Sequence, residues 1–195
     1  MKLPLPVVIG LGVVAGLFGL WISMNAPAWV TLLVIAVGFG AVMFSLANLR
    51  SNRTVTNASA GERDALLTAG PPAGRGRIIV FRQGFIGKAL GVDVTLDGVE
   101  VAQLKAPRFV ALDVVPGEHV VGTAFKGTAK MQNRDVELPV VVGAGETVAV
   151  RMTFDMTLGK NEVTFAPVAY ADVKRALSGM TMVRPDRPAE PAAAA

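Results

Sequence analysis

The chain has no cysteine, a single histidine (His119), one tyrosine and two tryptophans. Without cysteine there are no disulfides, no thiolate metal sites, no cysteine nucleophile and no lipidated cysteine. One histidine excludes multi-histidine metal centres and leaves little for a histidine-based catalytic apparatus. Charge is also missing where it would normally be common: Lys2 is the only charged residue among the first 49. The rest of the chain is mildly basic, and a net charge of +4 is too small to argue for nucleic acid. No arginine-rich or aromatic-interleaved run supports nucleic-acid binding either.

What fills the uncharged stretch is apolar. Leu3–Ile22 and Trp29–Leu49 each have about the 20 residues a helix needs to cross a bilayer, and the polar turn Ser23–Ala28 separates them. The pattern predicts a transmembrane helical hairpin over 1–49, with a cleaved signal and one anchor as the alternative. Gly12 with Gly16 and Ala36 with Gly40 have small-x-x-x-small spacing, which makes them candidates for helix packing. Trp21 and Trp29 flank the turn, as interfacial aromatic residues do. Lys2, Arg50 and Arg53 lie at the open end, so the positive-inside rule predicts a multi-pass bacterial inner-membrane protein with a cytoplasmic domain, a periplasmic domain being the alternative. The lipid bilayer is then one expected partner, and a protein partner or a second copy is the other.

Residues 50–76 are rich in small and polar residues and read as a linker with a helical turn near Glu62–Leu67. Residues 184–195, with three prolines and a closing run of alanines, read as a disordered tail. Between them, over 77–183, the apolar period changes to two. Val92, Val94 and Leu96 alternate with polar residues, and Asp97-Gly98 is a strong hairpin signal before the return strand at Val99. Val115-Pro116-Gly117-Glu118 and Gly143-Ala144-Gly145-Glu146 mark further turns. The expected fold class is α+β membrane protein: the two-helix hairpin, then an antiparallel β-sandwich of seven or eight strands, then a short helix at Tyr170–Leu177.

The strand Arg77–Arg82, the loop Gln83–Lys88, the stretch Val92–Gly98, Val101–Leu104 and the Pro116-Gly117-Glu118-His119 turn resemble a bacterial family of lipoprotein-type and membrane-anchored β-sandwich domains of unknown function. They resemble PEGA-type domains more distantly. The resemblance implies a non-enzymatic accessory or binding domain and transfers no catalytic residue.

Residue chemistry leads the same way. His119 has no nucleophile motif beside it, and Asp93, Asp97 and Glu100 lack calcium-loop spacing. No catalytic, cofactor or metal residue is expected. Phe85, Ile86, Lys88 and Leu90 form a candidate contact loop, apolar groups beside a cation; the alternative is that Phe85 and Leu90 cap the core. The expected function is a membrane-anchored, non-enzymatic interaction module, an accessory or scaffold subunit of an inner-membrane assembly, with a sensor or carrier binding a lipid or small apolar ligand in the sandwich as the alternative.

Overall fold

A computed structural model describes residues 19, 27–49, 52–84, 88, 90–126, 130, 133–157 and 160–186. The chain divides into two compact units, Met1–Leu46 and Ala47–Ala195. In the first, helix α1 (Ala28–Leu49) begins where the Val30 amide donates to the Pro27 carbonyl at 2.9 Å. Its apolar residues lie all around the axis, and Trp29, Leu32, Leu33, Val34, Ile35, Val37, Phe39 and Met43 are exposed.

The structure departs from the expected membrane architecture. Among the described residues, no helix is long and apolar enough to cross a membrane, and no two-helix hairpin is evident. The first apolar run, Gly19 apart, lies outside the described residues. The multi-pass inner-membrane location, inferred from the hairpin, is withdrawn with it.

The second unit is built of β1 (Gly76–Arg82), β2 (Val92–Leu96), β3 (Val99–Leu104), β4 (Arg108–Val114), β5 (Gly117–Ala124), β6 (Glu137–Val142), β7 (Thr147–Thr157), β8 (Lys160–Val168) and β9 (Thr181–Val183). Helix α2 (Ala60–Thr68) precedes β1 and helix α3 (Tyr170–Ser178) precedes β9. One sheet has the order β8-β7-β1-β4-β9 and the other β3-β2-β5-β6. The four-stranded sheet is antiparallel, with Asp97 (φ 51°) and Gly98 (φ 78°) in the left-handed region that a tight hairpin requires.

The five-stranded sheet is mixed, which corrects the wholly antiparallel expectation. β1 pairs antiparallel with β4 but parallel with β7, and β9 runs parallel to β4. The turn before β7 runs beside the start of β1, where the Arg77 amide donates to the Glu146 carbonyl and the Gly145 amide to the Arg75 carbonyl, both at 2.8 Å. β7 is thereby launched alongside β1 in the same direction. Gly76 is required for that approach, because a Cβ there would lie 2.7 Å from the Gly143 carbonyl oxygen.

Burial explains why the centre of β1, Ile78–Phe81, is an unbroken apolar run. Ile78 and Val80 join an inner core between the sheets, with Val94, Leu104, Leu112, Val121, Val150 and Phe154. Ile79 and Phe81 point the other way, into a second core with Phe109, Leu67 of α2, and Val173 and Leu177 of α3. The layers are therefore helices, mixed sheet and antiparallel sheet, and a strand covered on both faces loses its alternation. The segment read as a linker lies against this unit: Ala58 donates to the Met182 carbonyl and Asn57 bridges Val183. At the start of the expected tail, the Asp186 amide donates to the Val101 carbonyl.

Candidate functional site

The helical layer is fixed by polar ties as well as by its core. Ser59 caps α2 by accepting from the Glu62 amide, while the Glu62 carboxylate accepts from the Ser59 amide at 2.8 Å. That amide bond, followed by the Arg184 guanidinium, holds the Glu62 carboxyl down at about 2. At the other end of α2, Arg77 reaches up from β1 and donates to the Leu66 and Ala69 carbonyls at 2.9 and 3.0 Å. It is anchored on Asp113 at 2.6 Å. A cation thus satisfies carbonyls that the end of the helix would leave unpaired.

The Tyr170 hydroxyl donates to the Leu67 carbonyl, and an Arg63 Nη donates to the Met180 carbonyl beyond α3, so the two helices run side by side in opposite directions. Burial raises the Tyr170 pKa, against a smaller opposing pull from Arg77, which keeps the hydroxyl a donor at neutral pH.

With Val173 and Leu177 turned down onto the sheet, Ala171, Lys174, Arg175 and Ser178 of α3 face an open hollow of about 690 Å³, opposite Arg63, Asp64, Leu67 and Thr68 of α2. Three of these eight side chains are cationic and one is anionic. The Arg63 guanidinium lies on Asp64 at 2.8 Å, and the Lys174 ammonium sits 5.9 Å from the centre of the Tyr170 ring. The Thr68 and Ser178 hydroxyls bond back to the carbonyls of Asp64 and Arg175. The rim of the hollow can attract negative charge.

Two further polar clusters tie the β structure together. His119 bridges two turns, with Nδ1 2.7 Å from an Asp97 carboxylate oxygen and Nε2 2.7 Å from the Val115 carbonyl oxygen. The Val120 amide donates to the other Asp97 oxygen at 2.8 Å. Desolvation opposes a charge on His119, but the Val115 carbonyl and Asp97 together outweigh it, so its pKa is raised. On the antiparallel sheet, buried Asp93 accepts from Arg53 Nε and from Gln103 Nε2, both at 3.1 Å. Arg53 also pairs with Asp186 at 2.7 Å. Burial raises the Asp93 pKa, and Arg53 offsets part of that rise.

Arg53, chosen from the sequence as a flank charge, is therefore spent on Asp93 and Asp186. Trp29, Ala36 and Gly40 lie on α1, and a Cβ at Gly40 would have nothing within 4 Å. Gly12, Gly16, Trp21 and Arg50 lie outside the described residues, as do Phe85 and Ile86. Lys88 is exposed, while Leu90 packs against the inner core and its carbonyl accepts from Arg82 at 2.5 Å. Arg82 itself is buried over the Phe154 ring, 5.1 Å from its centre, and burial lowers its pKa to about 10. It stays charged at neutral pH.

Asp93, Asp97 and Glu100 do not converge: Asp97 holds His119, Glu100 pairs with Lys126 at 2.6 Å, and Asp93 is held by Arg53. Among the described residues, no group of three His, Cys, Asp or Glu is placed to hold a metal.

The hollow was not foreseen from sequence. Its available signals were the Ser59-x-x-Glu62 capping box and the adjacent Lys174-Arg175 on the polar side of an amphipathic helix. The described fold defines the second unit as a two-sheet β domain with a helical layer over its mixed sheet. No family model, curated protein or solved structure matches the chain.

Proposed function

We propose that the β domain is a non-enzymatic protein-interaction module, an accessory or scaffold subunit that meets its partner through the face formed by α2 and α3. The observation that carries this reading is the open, cation-rimmed hollow between two helices fixed to the mixed sheet. The helices are held at both ends by the Ser59–Glu62 cap, Arg77 and Tyr170, so the surface is preorganised and little ordering entropy is lost on contact. The buried charged side chains Arg77, Arg82 and Asp93, together with buried Gln103, are engaged in ties within the fold. The resemblance to lipoprotein-type β-sandwich domains, carried by turn chemistry, supports the same class of function.

Site-specific photocrosslinking in cells tests it. A photoreactive residue at Ala171 is expected to give a discrete adduct, and one at exposed Val141 on the antiparallel sheet is expected to give none. Adducts from Val141 alone, or from neither position, would contradict the reading.

A further inference from the structure

We infer that the occupant of the α2–α3 hollow is an acidic protein segment, one carrying two or more carboxylates along a short stretch of chain. This deepens the interaction reading above and rests on it.

The shape of the hollow sets the size of the occupant. α2 and α3 are nine residues each, so the trough between them is about 13 Å long at 1.5 Å per residue. That length suits a short helix or four extended residues, and far exceeds a single small anion.

The distribution of charge sets its sign. Lys174 and Arg175 stand on one wall, with Arg63 opposite. Asp64 already lies on Arg63, which leaves the α3 pair as the principal cations for an incoming group. The α2 half that lines the hollow is its carbonyl-bearing end, already occupied by Arg77, so α2 turns no N-terminal amides toward the hollow to receive a free phosphate. The adjacent cations Lys174 and Arg175 on one wall, with an alkyl floor from Leu67 and Ala171, fit a chain bearing carboxylates beside a small apolar residue. Because the cations are exposed, they contribute mainly attraction and orientation, and binding should be steeply salt-dependent.

The test uses the purified full-length protein and a fluorescein-labelled 14-residue helical peptide of Glu, Ala and Leu, read by anisotropy. Its control is the same peptide with Gln for Glu. Binding of the Glu peptide is expected to weaken at least tenfold in Lys174→Glu/Arg175→Glu and severalfold in Lys174→Gln/Arg175→Gln, with unchanged circular dichroism. Equal binding of the Gln peptide would overturn the inference. So would competition by inorganic phosphate at the peptide's own concentration, or loss on charge reversal of binding to phosphatidylglycerol vesicles but not to peptide. If the Ala171 crosslink persists in the charge-reversed protein, the interaction reading survives and the acidic character of the partner is overturned.

Discussion

His119 illustrates how one side chain can tie two turns that are remote in sequence. Both ring nitrogens face oxygen acceptors, so the doubly protonated imidazolium satisfies both contacts, whereas a neutral ring must leave one unmade. Its folded-state pKa is raised above the ordinary value of about 6.5. The stabilisation is therefore complete below about pH 6.5 and is lost as the pH rises through the elevated folded value. Thermal midpoints measured from pH 5.5 to 8.5 should show a His119-dependent fall with rising pH, and His119→Gln should flatten it.

The Arg53–Asp93 pair makes a second expectation. Removing Arg53 leaves a carboxylate buried without its cation, so Arg53→Ala should cost about 2 kcal/mol in urea unfolding. Adding Asp93→Asn should recover most of that loss, since the amide oxygen can still accept from Gln103. If the double variant is no more stable than Arg53→Ala, the pair is not what the single change breaks.

Among the elements, the two nine-residue helices are too short to persist alone and owe their stability to caps and to the outer core. Ser59→Ala should cost about 1 kcal/mol through the lost cap. Leu177→Ala, at a fully buried position, should cost about 3 kcal/mol. Chemical denaturation of both variants checks these values and their order. Turns and alternating strands were legible because Asp97-Gly98 and the Val92–Leu96 pattern encode geometry locally. The mixed sheet was not legible, because the parallel pairing of β1 with β7 depends on a turn some seventy residues away docking beside Gly76. The two-sided burial of β1 corresponds to its unbroken apolar run Ile78–Phe81, which does not reveal what covers the second face. Trp29–Leu49 correctly indicated a helix. Its apolar composition specifies a helix with no polar side, and reading a bilayer into it went beyond what the described residues support. Arg53, counted from the sequence as a flank charge, is paired in the fold with Asp93 and Asp186.

Across the whole β unit, the mixed sheet serves two cores at once, giving one face to the antiparallel sheet and the other to the helices. Residues remote in sequence, from α2 and α3, are thereby brought together on one surface. The central claim is that this surface is where the partner binds. Hydrogen–deuterium exchange on the full-length protein, with and without the acidic peptide, tests it most directly. The account expects slowed exchange concentrated in 60–68 and 170–178, with the antiparallel sheet unchanged. Protection confined to β6 or to the outer edge at β8, with the two helices unaffected, would contradict it.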